Sequence, residues 1–422
     1  MRVIHILRKY NPSEWGGTES AVLQLTTDMA RFGVESVVFA PGIRRDAESR
    51  DPFEASGFAV KRFHACVPVL GVSSDRRRQM IAVGGNMISF DLFCDLLSQR
   101  NVDVIHSHAQ GRLGAIARAA ARLKRIPFVI SIHGGAYDIP AAVWRELRKP
   151  AAGGWDWGRP LGLLLGARRL VDQADAVIAF NPREASLIME RHPGRRVLVG
   201  SHGVPTALFA RECRDAAMDA YPQLAGRQMF LVLGRIDPTK NQEWVIEQAA
   251  ELVRRHPKIL LVFVGAFTNQ EYGNSILAHI ARGGLKDSVV LLGSLPVGDT
   301  RLIGLLQSAR AVILPSLSET FGIVILEAWA SGTPVISSRT SGASALMGDG
   351  VGGLLFDLGE PGSFHAAVDQ VLAQPDLALA WGAAGRAKAV ANFDTSVRAK
   401  KMAELYGELV EEKNALRHNT GR

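Results

Sequence analysis

Residues 310–337 read Arg-Ala-Val-Ile-Leu-Pro-Ser-Leu-Ser-Glu-Thr-Phe-Gly-Ile-Val-Ile-Leu-Glu-Ala-Trp-Ala-Ser-Gly-Thr-Pro-Val-Ile-Ser, and the rest of the chain is read outward from them. The apolar run 311–314 suits a buried strand, 315–320 is a turn-rich loop, and 321–330 is a helix stopped by Gly332 and Pro334. A second apolar run then starts at Val335, so the unit is strand, loop, helix, strand. The helix is apolar nearly all round (Ile323, Val324, Ile325, Leu326, Ala328, Trp329) and is expected to be buried. Glu327 lies in its middle, and a buried carboxylate needs a partner.

Glu319 precedes the same helix, where free amides and the helix dipole favour a carboxylate or an anionic ligand. At ~1.5 Å rise per residue the two carboxylates lie roughly 10 Å apart along the helix direction. That span fits a ligand with two hydroxyl-bearing rings flanking an anionic centre, the layout of a nucleoside diphosphate sugar. The competing reading makes Glu319 a capping residue and Glu327 a core carboxylate paired with an arginine. Glu319 and Glu327 are separated by seven residues, with Phe321-Gly322 after the first and Ser331-Gly332-Thr333-Pro334-Val335 after the second. This string resembles the signature of the retaining family 4 (group 1) glycosyltransferases. The resemblance implies the GT-B fold: two doubly wound Rossmann-like α/β domains facing across a cleft.

The 422 residues suit two domains of about 200 residues each. A hydrophobic content of 47% with 21% charged residues is that of a soluble globular protein. No secretory leader is expected, because Met1-Arg2 runs straight into the strand-like Val3-Ile4-His5-Ile6-Leu7, and no run approaches the ~20 apolar residues of a membrane helix. Cys66, Cys94 and Cys213 are unpatterned, which fits a reducing cytoplasm and excludes a disulfide framework. The net charge of +8 is uneven: residues 1–200 hold 28 Lys and Arg against 19 Asp and Glu, residues 201–422 hold 21 against 22. Basic clusters such as Arg76-Arg77-Arg78 and Lys124-Arg125 read as a solvated face or as a contact for an anionic membrane surface. A nucleic-acid partner is disfavoured, because the clusters lack interleaved aromatics and a recognisable module.

In the first half, strands are expected at 3–7, 36–39, 60–63, 104–106, 128–132, 176–180 and 197–199, with helical patterns such as 20–32 and 113–123 between them. This alternation argues a parallel, doubly wound sheet whose strand-end loops carry function. The loop after the first strand holds Gly16 and Gly17, which permit close approach of backbone to a phosphate or sugar. Its place matches the glycine-rich loop of the family. His106 and His108 share a strand parity and could pair at a metal, although no third ligand is evident nearby. The resemblance places the histidine of His133-Gly134 against the transferred sugar and His108 in the cleft. Tyr137, Trp144 and Arg148, with Trp155 and Trp157 following, suit an acceptor bearing a phosphate or lipid tail, or a membrane surface. Leu161 and the run 163–165 are read as packing on their own domain.

A second strand series is expected at 229–233, 260–264, 289–292, 311–314, 335–337 and 353–356. Domain boundaries follow at 1–204 and 205–393, with 394–422 a terminal helix that, by resemblance, crosses back to the first domain. Arg235 and Lys240 lie before the helical segment 243–255. A lysine at a helix start opposes the dipole unless an anion sits there too, so the two cations read as a diphosphate clamp or as ordinary surface charges. Gly234-Arg235 with Lys240-Asn241 resembles the family's diphosphate-binding loop, and Ser294 and Leu295 stand where its backbone contacts the base. One departure is Ala345, which stands about where the family carries a glutamate.

The resemblance implies a retaining transfer in which Glu319 holds the donor sugar's hydroxyls and Glu327 the ribose diol, with the Phe321 and Gly322 amides nearby, Ile323 also among the donor-binding residues, and His133, Arg235 and Lys240 serving the reaction. The chain contains no Asp-x-Asp, so no metal or other cofactor is expected, and leaving-group charge falls to cations and helix-end amides. The expected partners are a nucleotide-sugar donor and a glycan or lipid-linked acceptor, in bacterial-type envelope or exopolysaccharide assembly at the cytoplasmic face of a membrane. The alternatives are a non-hydrolysing nucleotide-sugar epimerase and an inactive carbohydrate-binding protein on the same fold. A dinucleotide oxidoreductase is disfavoured, because no Gly-x-Gly-x-x-Gly follows a strand.

Overall fold

The structure is a computed structural model that describes residues 1–9, 17–42, 52–82, 87–133, 136–139, 145, 151–296 and 298–420. The chain divides into two compact units, Met1–Ser201 with Thr395–Arg422, and His202–Asp394.

In the first unit the strands are β1 (Arg2–Ile6), β2 (Glu35–Pro41), β3 (Val60–Phe63), β4 (Val69–Leu70), β5 (Val104–Ser107), β6 (Phe128–Ile132), β7 (Trp155–Asp156), β8 (Ala176–Ala179) and β9 (Val197–Val199). Seven of them form a parallel sheet in the order β3-β2-β1-β5-β6-β8-β9. β1, β5, β6 and β8 are almost wholly buried, which is why they read as continuous apolar runs rather than alternating ones. β4 and β7 make a separate antiparallel ribbon, too short to leave a period in the sequence.

The second unit holds β10 (Gln228–Leu233), β11 (Ile259–Val264), β12 (Val289–Leu291), β13 (Ala311–Leu314), β14 (Val335–Ser338) and β15 (Gly353–Phe356), parallel in the order β12-β11-β10-β13-β14-β15. Its core packs Phe230, Phe263, Ile313, Ile336 and Phe356 against the helices Gln242–Arg255 and Pro361–Ala373.

Each sheet reverses its winding once, between β1 and β5 in the first unit and between β10 and β13 in the second. At such a reversal the loops at the carboxyl ends of the two strands diverge and leave a crevice. The expected site residues concentrate on those loops.

The long helix Thr395–Thr420 belongs to the first unit. Arg398 donates to the Ala21 carbonyl at 2.7 Å, Lys413 pairs with Asp175 at 2.5 Å, and Arg196 pairs with Glu412 at 2.9 Å and with Glu408.

Candidate active site

In the second unit the loops after β10 and β13 are tied together at the reversal point. Asp237 accepts from the amides of Thr239 (2.9 Å) and Lys240 (3.2 Å), turning the chain back on itself. Asn241 takes a left-handed conformation (φ 56°) just before the Gln242–Arg255 helix and donates to the Pro315 carbonyl at 3.1 Å. Leu317 donates its amide to the Thr239 carbonyl at 2.9 Å. These bonds place Lys240 Nζ 2.5 Å from Glu319 Oε2, both side chains about a quarter exposed. Lys240 therefore meets a carboxylate of its own unit. Arg235 lies nearby, half exposed, with its guanidinium 3.4 Å from Asp237. A lysine closed on one carboxylate and an arginine open to solvent leave cationic donors for an incoming anion.

The helix expected to begin at Phe321 runs Ile323–Ala330. Gly322 explains the shift: it sits at φ 96° as the residue before the first turn, where a Cβ would meet Ile325 Cδ1 at 2.8 Å. Glu319 consequently stands on the loop and is not the cap. The first amides of the helix, Ile323 and Val324, have no intrahelical acceptor by construction. Phe321 is buried edge-on to His202, with centroids 5.0 Å apart. Gly342 lies under this turn, giving its amide to the Glu319 carbonyl at 2.8 Å, and a Cβ there would stand 2.5 Å from the Phe321 nitrogen.

Glu327 is buried, and burial raises its pKa to about 7. Neither an arginine nor a hydrogen-bond donor engages its carboxylate among the described residues, so the competing reading of an arginine-paired core carboxylate is not met. Ser294 is exposed and Leu295 half-buried in the loop after β12, and the Gly265 amide donates to the Gly293 carbonyl at 2.7 Å just before them.

In the first unit the corresponding position is filled by histidines. The register of β1 and β5 sets His5 beside His106 on one face, and His108 follows two residues later with the same parity. His5 Nδ1 lies 3.2 Å from His108 Nε2, and His108 Nδ1 lies 2.9 Å from His133 Nε2. His106 spends both nitrogens elsewhere, on Tyr406 Oη (2.5 Å) and Ser131 Oγ (2.8 Å). Burial lowers the pKa of His5 to about 3, helped by Arg398. It also holds His106 and His108 well below the ordinary histidine value, with the neighbouring imidazoles and Arg398 adding to the effect.

The third imidazole beside His106 and His108 that the linear reading did not find is therefore His5, and nitrogens of all three lie within 4.8 Å of one another. Strand pairing was the missing signal, because His5 is 101 residues from His106 along the chain and adjacent to it across the sheet. The donor set does not favour a metal. His106 is saturated, no carboxylate among the described residues joins the trio, and the buried Arg398 guanidinium opposes a further positive charge.

Gly17 is the first residue of the helix Gly17–Met29. Tyr137 is half-buried, its hydroxyl 3.0 Å from His192 Nε2 and its amide donating to Glu184 Oε1 at 3.2 Å. Glu184, fully buried on the helix Pro182–Arg191, was not anticipated, and burial raises its pKa to about 7. Gly16, Trp144 and Arg148 lie outside the described residues. The leucine run divides: Leu165 packs on the core, whereas Leu163 and Leu164 are 53% and 83% exposed. The packing expectation thus fails for those two.

Comparison with known proteins adds the following. The model of the group 1 glycosyl transferases matches residues 214–388, and that of a glycosyl transferase 4-like domain matches residues 16–215. The D-inositol 3-phosphate glycosyltransferase of Frankia alni is 30% identical over 407 residues, covering 93% of this chain and 94% of its own. D-inositol 3-phosphate glycosyltransferase 2 of Catenulispora acidiphila is 28% identical over 417 residues, covering 96% and 92%. Among solved structures, Anabaena HepE in complex with UDP superposes with a TM-score of 0.73 at 19% identity, covering 97% of this chain and 100% of HepE. Sucrose-phosphate synthase from Thermosynechococcus elongatus superposes with a TM-score of 0.72 at 21% identity, covering 97% and 99%.

Proposed function

The chain belongs to the group 1 glycosyltransferases of GT-B fold, and from that premise we propose that it moves a sugar, with retention of anomeric configuration and without a metal, from a nucleoside diphosphate sugar to a phosphate-bearing acceptor. The observation that carries this reading is the Lys240–Glu319 pair at the β10/β13 reversal, beside the free amides of the helix Ile323–Ala330.

Breaking an anomeric C–O bond to a diphosphate puts positive charge on the sugar and negative charge on the leaving group. Lys240, Arg235 and the helix-start amides are the groups that would stabilise the second charge. When the diphosphate takes Lys240, Glu319 Oε2 is released toward the sugar hydroxyls. Glu327, buried and unengaged, is the acceptor for a ribose diol. His133 in the first unit serves the reacting end of the donor sugar. HepE was solved with UDP and with UDP-glucose, so uridine donors are the first to try.

A phosphate-bearing acceptor agrees with the basic excess of residues 1–200. The relatives are named for inositol 3-phosphate, a soluble phosphorylated polyol. A lipid-linked acceptor at a membrane has its own support. Leu70 and Trp155 stand opposite each other on the β4/β7 ribbon, 51% and 68% exposed, and Leu163 and Leu164 follow on the same segment. No helix among the described residues is long and apolar enough to cross a membrane. A cavity of about 380 Å³ is lined by Arg118, Arg122 and Arg125 together with the paired Asp175 and Lys413, which leaves the three arginines to attract an anion. The relatives being named transferases over nearly the whole chain leaves the epimerase alternative without support.

The test is turnover of UDP-, GDP- and ADP-sugars with inositol phosphates and lipid-linked phosphoglycans as acceptors, with and without a chelator. The proposal expects a retained product that forms equally in chelator, and an inverted product or loss of turnover restored by added metal would refute it.

A further inference from the structure

We infer that the cavity walled by Arg118, Arg122 and Arg125 is a second anion site, which holds a phosphate group at the end of the first unit's sheet that lies away from its histidines. It belongs to the first unit alone and stands whether or not the function proposed above does.

The cavity encloses about 380 Å³, and ligand pockets run upward from roughly 300 Å³. Phe128, in its wall, opens β6, and Asp175 immediately precedes β8. His133 follows the far end of β6, and at ~3.3 Å per residue it is roughly 15 Å from Phe128. A ligand in this cavity is therefore not held by the loops that carry His108 and His133.

Arg118 and Arg122 share one face of the helix Gly111–Lys124, a spacing at which like charges destabilise a helix. Arg125 ends that helix in a left-handed conformation (φ 56°), which glycine or asparagine adopts with less strain. Lys413 comes from the helix Thr395–Thr420. Asp175, the carboxylate among the described lining residues, is spent: one oxygen pairs with Lys413 at 2.5 Å and the other accepts the Phe128 amide at 2.8 Å.

The ordinary use of cations at a helix C-terminus is to meet its last carbonyls. Arg417 does that here, donating to the carbonyls of Lys124 at 3.0 Å and of Arg125. Arg122 and Arg125 are thus left exposed, without a carboxylate partner among the described residues. Arg118 is half-buried. Its Nη2 donates to the Leu165 carbonyl at 3.0 Å, its Nε is buried with no partner, and burial lowers its pKa with Arg122 adding repulsion. A phosphate group suits this arrangement, because it offers acceptors to several guanidinium forks at once and neutralises charges that otherwise repel.

The phosphate belongs either to a free solute or to a lipid headgroup, and the test separates the two. Inorganic phosphate and pyrophosphate are titrated calorimetrically into the full chain carrying Lys240→Ala, which removes a cation of the β10/β13 crevice. Flotation of the same protein uses phosphatidylcholine vesicles with and without phosphatidic acid. Adding Arg122→Gln should weaken whichever probe binds by about 10-fold or more, the loss of one charged hydrogen-bonding contact. Adding Arg31→Gln, at an exposed arginine outside the cavity wall, should leave binding within about twofold. Arg122 is exposed, so its variant should keep the parent melting temperature. Binding of the free anions assigns a solute, capture that requires phosphatidic acid assigns a headgroup, and either supports the site. No binding of any probe, or binding that Arg122→Gln leaves unchanged or Arg31→Gln weakens equally, would overturn it.

Discussion

The two units are wound alike and reverse their sheets alike, yet the two reversal points hold opposite chemistry. Between β10 and β13 lies a half-exposed set of charges, Lys240 on Glu319 and Arg235 near Asp237. Between β1 and β5 lie the buried imidazoles of His5, His106 and His108, which burial holds neutral. One topology thus carries two kinds of side-chain set. The charged crevice suits a diphosphate that arrives and leaves with full charge, since partly solvated ions pay little desolvation. Under the proposed function, the neutral row would face a sugar at which charge develops only during reaction.

The comparison can be broken first at its charged half. Lys240→Ala should lower kcat/KM by about 10³-fold, the loss expected when one preorganised donor to a developing anion is removed, and steady-state turnover of the matching donor reads it directly. Glu319→Gln should cost about 100-fold, mostly in kcat, because it keeps the volume and loses the charge that pairs with Lys240 and that, in the proposed function, holds the sugar. A Gln variant with wild-type kcat would show that Glu319 belongs to the frame and not to the chemistry.

Gly342→Ala tests whether the frame matters by itself. Its added methyl would press on the Phe321 nitrogen and the Glu319 carbonyl, backbone atoms that cannot swing aside. Donor affinity should fall about 10-fold with the Lys240–Glu319 groups still present, measured by calorimetric titration.

Glu327 sharpens the contrast through pH. Its pKa is raised from 4.5 to about 7, so between those values the folded protein holds a proton that the unfolded chain has lost. This group's contribution to stability therefore falls as pH rises from about 4.5 to 7, by up to about 3 kcal/mol. Glu327→Gln should lose that dependence, so its stability relative to wild type should climb across the window in denaturant titrations. On the proposed function a ribose diol would donate to the ionised carboxylate, so nucleotide affinity should weaken as pH falls below about 7 in wild type and stay flat in the variant. Glu184, also raised to about 7, remains in both proteins and cancels in the comparison.

The smallest effect is expected from Tyr137→Phe. It removes a hydroxyl bonded to His192, at a cost of about 1 kcal/mol in stability and no more than about twofold in kcat.

Most of the fold was legible because the sheet strands are buried on both faces and so stand out as apolar runs. Each of the thirteen sheet strands falls where a run was read, within two residues at its ends. The β4/β7 ribbon was not legible, since strands of two residues carry no period. In the site, Lys240 and Glu319 could be found from local motifs, and their direct pairing could not, because it depends on Asn241 and Leu317 stitching two distant loops. His5 was hidden for a related reason: its meaning comes from register with His106, which a linear reading does not contain. The helix start was misplaced by two residues because a positive φ at Gly322 delays the first turn.

The most direct test of the central claim is calorimetric titration of a panel of nucleoside diphosphates and their sugars into metal-free wild type and Lys240→Ala in parallel. The account predicts that one base series binds wild type in chelator and that Lys240→Ala weakens the diphosphate about 100-fold or more while barely changing the nucleoside alone. Equal diphosphate affinity in the two proteins would contradict it, since the β10/β13 crevice would then not be where the diphosphate is held.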